Sequence, residues 1–165
     1  MLKGINPVVI ENSPGRREFV KDCLPKGVNA FPTLAEARMS CFNDKKAPID
    51  LAIDTTPGLL GEIYPQLSCG ATYMSIGLKQ KIAEINTIQL ADKSLSIMGS
   101  IDSLHGTFNE AYNLIRNGLI PAEKIISHIM PLSEYKEAFA VIGCSIGEKS
   151  MFRSSEKSGK ILLEI

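Results

Sequence analysis

A glutamate, Glu11, directly follows the short apolar run Pro7-Val8-Val9-Ile10, and a basic residue, Arg16, stands shortly after it. A carboxylate at the end of a buried strand can accept hydrogen bonds from the hydroxyls of an adenosine ribose. In a dinucleotide-binding fold, the charge of such a carboxylate would also repel a 2′-phosphate and favour NAD over NADP. The same residues allow a simpler interpretation, in which Glu11 is a solvent-facing turn carboxylate with Arg16 or Arg17 as a surface neighbour.

The elements that would position these side chains follow an alternation of short apolar runs and amphipathic helical patterns. Parallel neighbouring strands need long crossover connections, which are usually helices. The sequence therefore predicts an α/β fold, with a mostly parallel sheet flanked by helices. The predicted strands are 7–10, 28–31, 49–53, 71–76, 95–98, 125–129 and 160–165, and the predicted helices are 13–24, 34–42, 59–67, 107–117 and 133–142. The polar stretch 79–93 is assigned no element.

A second feature is a series of short segments between Ile49 and Leu163. In order, they are Ile49–Asp54, Gly70–Gly77, Leu95–Ser100, Thr107–Ala111, Gly118–Pro121, Met130–Ser133, Ala138-Phe139 and Ser158–Leu163. Their order and spacing resemble the C-terminal nucleotide-binding domain of the medium-chain (zinc-type) alcohol dehydrogenase/reductase family. The resemblance implies a single, partial Rossmann-like domain over 1–165, truncated on its N-terminal side. It lacks that fold's first strand and glycine-rich turn and the family's GroES-like catalytic domain. Glu11 falls in the acidic ribose position and Arg16 near the adenine.

The resemblance also implies further contacts to NAD(H), at strand ends where open parallel sheets bind ligands. Asp54 and Thr55 match the segment beside the adenosine. Ile76 and Gly77 match the turn beneath the nicotinamide, and Lys160 matches the basic position that contacts the pyrophosphate. Each position has a structural alternative: Gly77 as a turn glycine, Lys160 as a solvated lysine, and Asp54 as an exposed residue that caps its own turn.

Two groups of residues on which such enzymes depend are not found in the sequence. The Gly-x-Gly-x-x-Gly turn that usually holds a pyrophosphate does not occur. The cysteines at 23, 41, 69 and 144 are widely spaced, and His105 and His128 are the two histidines, so no zinc site is expected. Both histidines are expected to be structural or solvated. We therefore expect NAD(H) binding to be weak or absent in the isolated chain, with no catalytic residue and no zinc.

The composition is that of one compact domain. The chain has 165 residues, 44% hydrophobic content and zero formal net charge, which allows one sizeable core. A neutral balance gives no electrostatic reason to expect nucleic acid or an anionic membrane as a partner. No apolar run is long enough to cross a bilayer, and Met1-Leu2-Lys3-Gly4 does not begin a signal peptide. A cytoplasmic location is expected.

Two functional classes stay open at this stage. In the first, the chain is the nucleotide-binding portion of an NAD(P)-dependent alcohol or polyol dehydrogenase and is not catalytic alone. In the second, it is a non-catalytic remnant or dimerisation module that binds no cofactor. We expect a homodimer through the strand Leu95–Met98, or a complementary chain that supplies a catalytic domain. A methyltransferase fits less well, because the tail from Ser133 to Ile165 does not resemble that class.

Overall fold

The computed structural model describes residues 5, 7–25, 27–56, 58–78, 81–101, 106–144 and 158–165. They divide into two compact units, the first from Met1–Lys45 with Asn109–Ile165 and the second from Lys46–Phe108. Every described strand pair in both units is parallel, and helices separate most of the strands along the chain. The predicted α/β fold is therefore confirmed. A single domain over 1–165 stays a prediction.

The described elements follow the predicted alternation along the chain. In order, they are β1 (Val9–Ile10), α1 (Pro14–Cys23), β2 (Ala30–Phe31), α2 (Leu34–Phe42), β3 (Ile49–Asp54), α3 (Leu60–Ile63), β4 (Leu67–Ser75), α4 (Thr87–Asp92), β5 (Ser96–Gly99), α5 (Thr107–Arg116), α6 (Ala122–Ile125), β6 (Ile126–Pro131), α7 (Tyr135–Val141) and β7 (Lys160–Glu164). Short 3₁₀ turns precede β4 and α7. No helix in the described part of the chain is both long and apolar enough to span a membrane.

The first unit is built on two separate parallel strand pairs, β1 with β2 and β6 with β7. Helix α1 begins at Pro14, whose fixed φ suits the first helical position, and Ser13 occupies the N-cap. The Ser13 side chain makes no capping bond. At the other end of α1, the thiol of Cys23 donates to the carbonyl oxygen of Lys124 at 2.8 Å. This bond joins α1 to the α6 segment that leads into β6.

The second unit is a three-stranded parallel sheet in the order β3-β4-β5. Its core is the buried cluster of Tyr64, Leu67, Ala71, Tyr73 and Leu95. Partly buried side chains from α3 and α4 pack against this cluster. The helices therefore fix the middle strand, β4, and the residues that follow it.

Strand β4 differs from the prediction at its start. A helix was expected over 59–67 and a strand from 71, but α3 ends at Ile63 and β4 begins at Leu67. Pro65 cannot donate a helical hydrogen bond, and Leu67 is buried in the core, which favours an extended chain from that point. Gly70 has φ +75° inside β4, where the pairing with β3 shifts register.

The sequence did not indicate α4, in the stretch 79–93. Its N-cap is Asn86, whose side-chain oxygen accepts from the backbone N–H groups of Ile88 at 3.0 Å and Gln89 at 3.3 Å. The Tyr64 hydroxyl donates to the Asn86 carbonyl at 2.6 Å, so a residue distant in sequence fixes this cap. Leu95, expected in the next strand, lies in the core just before β5.

Candidate functional site

Glu11 lies just beyond the carboxyl end of β1, and the loop into α1 folds back onto its carboxylate. Oε1 accepts the Ser13 backbone N–H at 2.9 Å, and Oε2 lies 3.3 Å from Nε of Arg16. Nη1 of Arg17 donates to the Glu11 backbone carbonyl at 2.7 Å. The Glu11 side chain is 20% exposed, so its position is fixed while part of it faces solvent. A carboxylate held in this way can still accept a hydrogen bond from a ligand hydroxyl.

The local sequence explains this arrangement. Because Pro14 starts α1 directly after the loop, Arg16 and Arg17 fall in the first turn of the helix and reach back to Glu11. Basic residues at a helix N-terminus are unfavourable toward the helix dipole, and the neighbouring carboxylate offsets that cost. Arg16 and Arg17 are thus neighbours of Glu11, as the simpler interpretation of the sequence expected, and the ribose role of Glu11 stays a prediction.

Arg16 and Lys160 line one cavity of about 360 Å³ in the first unit. The volume is near the lower end of the range for small-molecule sites. The remaining lining residues are mostly apolar: Phe19, Val20, Ile125 and Ile142, together with Ser158 and Gly159. Two cationic side chains on an otherwise apolar wall suit an organic anion, with its charged group at the cations and its flat or apolar body against the wall.

The backbone ahead of Lys160 is held in place by residues that the sequence did not single out. The Ser127 hydroxyl accepts the Gly159 N–H at 2.9 Å and lies 3.3 Å from the Lys160 carbonyl oxygen. Gly159 also approaches the Phe19 ring and the Ile125 carbonyl so closely that a Cβ atom would overlap both. These contacts position Lys160 at the cavity.

The other predicted cofactor residues lie in the second unit, at the adjacent carboxyl ends of β3 and β4. The Asp54 carbonyl accepts the N–H groups of Ile76 at 2.8 Å and Gly77 at 3.1 Å. Thr55 is exposed and Gly77 is half-buried. The structure therefore brings Asp54, Thr55, Ile76 and Gly77 together in the second unit. In the first unit it pairs Glu11 with Arg16 and places Lys160 on the wall of the cavity that Arg16 lines.

The Asp54 carboxylate is occupied by bonds within its own unit. It is 5% exposed and accepts from the Thr56 N–H at 2.9 Å, the Thr56 hydroxyl at 3.0 Å, the Leu59 N–H at 3.0 Å and the Tyr73 hydroxyl at 2.5 Å. Burial raises the pKa of Tyr73, and the hydrogen bond and charge of Asp54 raise it further. Asp54 thus caps its turn, as the structural alternative held, although it is buried rather than exposed. A cofactor contact at Asp54 stays a prediction.

The histidines and cysteines show no arrangement of metal ligands within the described ranges. His128 lies in β6, with Nδ1 at 2.9 Å from the Ser127 hydroxyl, and His105 lies outside the described residues. The four cysteines are free thiols. No group of three or more histidine, cysteine, aspartate or glutamate side chains is close enough to hold a metal among the residues that the structure describes.

Solved dehydrogenases share this fold. An alcohol dehydrogenase from Escherichia coli CFT073, solved in complex with the cofactor NADH, matches with a TM-score of 0.75 and 22% identity, covering 97% of this chain and 44% of that one. The L-idonate 5-dehydrogenase of Escherichia coli K-12 matches with a TM-score of 0.61 and 21% identity, covering 82% and 39%. The described residues therefore define a Rossmann-like α/β fold of the dehydrogenase type.

The sequence comparison agrees with the structural one. A curated protein described as probable D-xylulose reductase A, from Aspergillus terreus, is 23% identical over 156 residues, which is 90% of this chain and 44% of that protein. No family model matches the chain. The resemblance to zinc-type medium-chain alcohol dehydrogenases is confirmed by these matches. The chain spans less than half the length of the relatives named here.

Proposed function

We propose that this chain binds a nicotinamide dinucleotide and is the nucleotide-binding portion of an NAD(P)-dependent alcohol or polyol dehydrogenase. The observation that carries the proposal is the geometry around Arg16. This residue holds the Glu11 carboxylate at the end of β1 and lines the cavity that also receives Lys160. Two cations that line one cavity, with a hydroxyl acceptor paired to one of them, match the chemistry of an adenosine joined to phosphates.

Each side chain has a distinct role in this proposal. Glu11 accepts hydrogen bonds from the adenosine ribose, since both of its oxygens keep lone pairs beyond those used by Ser13 and Arg16. Lys160 places a compact positive charge toward the pyrophosphate. Phe19 and Val20 form part of the apolar wall beside the base. The cavity holds one end of a dinucleotide rather than all of it.

In the second unit, Ile76 and Gly77 stay the residues predicted to contact the nicotinamide. The two bonds to the Asp54 carbonyl fix the backbone of Ile76 and Gly77. Thr55, which is exposed, stays the predicted contact on the adenosine side. A bound nicotinamide cofactor supplies the hydride chemistry of such enzymes, while the protein binds and orients it. The role proposed for this chain is therefore to position the cofactor. The substrate-binding and catalytic groups are assigned to a complementary catalytic domain or chain, which the greater length of the relatives supports.

A second role, dimerisation, is supported by the position of β5 at the edge of the three-stranded sheet, as far as the described residues show. The described partner of β5 is β4, and Ile97 and Met98 are 38% and 50% exposed. An exposed strand edge is a template for pairing with another strand. We propose that two copies of the chain pair through Ser96–Gly99. Size-exclusion light scattering of the wild-type chain should give the mass of a dimer. The variant in which a charged residue replaces Met98 should give the mass of a monomer. A monomeric wild-type chain would contradict the pairing.

Replacing Glu11 by arginine should shift dinucleotide preference toward NADPH. The change removes the ribose acceptor and adds a cation beside the expected 2′-phosphate, so we expect the ratio of NADPH to NADH affinity to rise at least about tenfold. Titration calorimetry with both dinucleotides measures this ratio. The matched control is Glu137→Arg, which reverses an exposed charge on α7 in the same unit. It should leave the ratio of NADPH to NADH affinity unchanged. If the wild type and Glu11→Arg have the same ratio of NADPH to NADH affinity, Glu11 does not contact the ribose.

A further inference from the structure

Ser127 lies at an irregular step in the pairing of β6 with β7. Ile126 pairs with Lys160, and the next pair is His128 with Ile161. Two residues of β6 thus advance against one residue of β7, and Ser127 is the extra residue. A bulge of this kind interrupts the ladder of backbone hydrogen bonds and changes the direction of the side chains beside it. The backbone groups next to the bulge therefore need other partners.

The Ser127 hydroxyl supplies such partners at the start of β7. It accepts the Gly159 N–H at 2.9 Å and lies 3.3 Å from the Lys160 carbonyl oxygen, to which it can donate. One side chain thus holds the backbone just before Lys160 and at Lys160 itself, whose side chain lines the cavity. The hold on the Lys160 carbonyl requires that the hydroxyl proton point toward it.

The imidazole of His128 is the third group at the Ser127 hydroxyl. Its Nδ1 lies 2.9 Å from Oγ of Ser127, and both side chains are half-buried. A serine hydroxyl has one proton and two lone pairs. If Nδ1 is bare, that proton is shared between the ring and the Lys160 carbonyl. If Nδ1 carries a proton, the hydroxyl accepts two hydrogen bonds and donates one, so every polar group in the network has its partner.

We propose that His128 carries its proton on Nδ1 and is a positioning residue for Lys160. The Nδ1–H donates to Ser127, which keeps the Ser127 proton on the Lys160 carbonyl and holds the lysine at the cavity. Because lysine has a long, flexible stem, a fixed backbone reduces the freedom that its ammonium loses when it binds an anion. The inference rests on the proposed function, in which that anion is the pyrophosphate of a dinucleotide.

The first test is the tautomer of His128 in the folded 165-residue chain without ligand. Nitrogen-15 NMR at about pH 8.5, above the range in which histidines usually titrate, distinguishes a protonated ring nitrogen from a bare one. His105→Gln removes the other histidine of the sequence and thereby assigns the signals. We expect a protonated Nδ1. A bare Nδ1 would overturn the inference whether or not the chain binds a nucleotide.

The second test is a double-mutant cycle measured by titration calorimetry with NADH. Lys160→Ala should weaken NADH binding by about tenfold, because a charge-assisted hydrogen bond is lost. His128→Ala should weaken it by about fourfold, because the lysine is present but less well held. The chain with both changes should bind no more weakly than Lys160→Ala alone, since His128 acts through the lysine.

Two further variants separate positioning from a general effect on the strand. His128→Asn places an amide near the position of Nδ1, so its NADH affinity should be within about twofold of the wild-type value. Ile129→Ala removes an exposed side chain from the next position of β6 and is the matched control. It should leave the NADH affinity unchanged. Circular dichroism of each variant shows that it is folded.

The outcomes separate this inference from the proposed function. Losses that multiply to about 40-fold in the chain with both changes would overturn the inference, because His128 would then act independently of Lys160. Equal NADH affinities of His128→Asn and His128→Ala would overturn it as well. Both of these results would leave the proposed function standing. A folded wild-type chain that binds no NADH would overturn the proposed function, and with it the role of Lys160 toward a pyrophosphate.

Discussion

Replacing Asp54 by alanine is expected to lower the stability of the second unit by about 4 kcal/mol. The carboxylate is buried and accepts four hydrogen bonds, and each buried donor left without a partner costs about 1–3 kcal/mol. The Tyr73 hydroxyl and the Leu59 N–H would lose their acceptor, and the turn after β3 would lose its cap. Whole domains are stable by only about 5–15 kcal/mol, so the midpoint of urea unfolding should move to a much lower urea concentration.

Asp50 offers a matched control on the same strand. It is exposed, and its carboxylate bonds to the Ser68 hydroxyl rather than to a buried group. Asp50→Ala should change stability by no more than about 0.5 kcal/mol. Similar effects of Asp50→Ala and Asp54→Ala would mean that the Asp54 bonds do not support the unit.

Tyr73 gives the same network a dependence on pH. Its pKa is raised above the ordinary value of 10.0 by burial, with Asp54 adding to the effect. The protonated phenol is therefore favoured in the folded state, so its contribution is complete below pH 10 and is lost as pH rises from there toward the folded-state pKa. Stability measured by urea unfolding should fall above pH 10 in the wild type and fall less steeply in Tyr73→Phe. If the free energy of unfolding falls equally steeply above pH 10 in the wild type and in Tyr73→Phe, Tyr73 is not the group responsible.

Replacing Gly159 by alanine should disrupt the backbone that presents Lys160. A Cβ atom there would lie closer than 3.0 Å to both the Phe19 ring and the Ile125 carbonyl oxygen, and real Cβ atoms essentially never show such separations. The ring can turn away, but the backbone oxygen cannot move without shifting the start of β6. We expect the free energy of unfolding of the first unit to fall by about 3 kcal/mol, as it does when a core is overpacked. Because Lys160 is displaced, dinucleotide binding should also be weaker.

Gly61 provides the control for this substitution. It lies in α3, a Cβ atom there would meet nothing within 4 Å, and alanine favours helix over glycine by about 0.5–1 kcal/mol. Gly61→Ala should therefore be neutral or slightly stabilising in the same unfolding experiment. Phe19→Leu combined with Gly159→Ala should recover only part of the loss, because the overlap with the Ile125 carbonyl remains. If Gly159→Ala alone is as stable as the wild type, the close approach of Gly159 to Phe19 and Ile125 does not constrain this position.

Local signals in the sequence predicted most of the fold. Helix α2 has the expected bounds, Leu34–Phe42, because Thr33 caps it by accepting the Glu36 N–H at 3.2 Å, a contact between near neighbours. Helix α4 has a local cap as well, the Asn86 side chain, and it was missed; the bond from Tyr64 to the Asn86 carbonyl, which fixes that cap, comes from a distant residue. The early start of β4 depends on burial of Leu67, which no local pattern reports.

The same distinction holds for the candidate site. The spacing of Glu11 and Arg16 was enough to suggest that the two side chains are neighbours, because they are close along the chain. The ribose role of Glu11 came from the resemblance and stays a prediction. The cavity required Lys160, from the far end of the sequence, to lie beside α1. The resemblance supplied Lys160 as a candidate, but Phe19, Ser127 and Gly159, which fix its surroundings, emerged only from the three-dimensional contacts.

Titration of the folded chain with NADH tests the central claim most directly. The account predicts saturable binding with one dinucleotide per chain, at a dissociation constant in the micromolar to sub-millimolar range, and weakening when Glu11 is replaced. Circular dichroism of the same sample confirms that the chain is folded. Absence of any saturable heat from a folded wild-type chain would contradict the claim and leave a Rossmann-like fold without nucleotide binding.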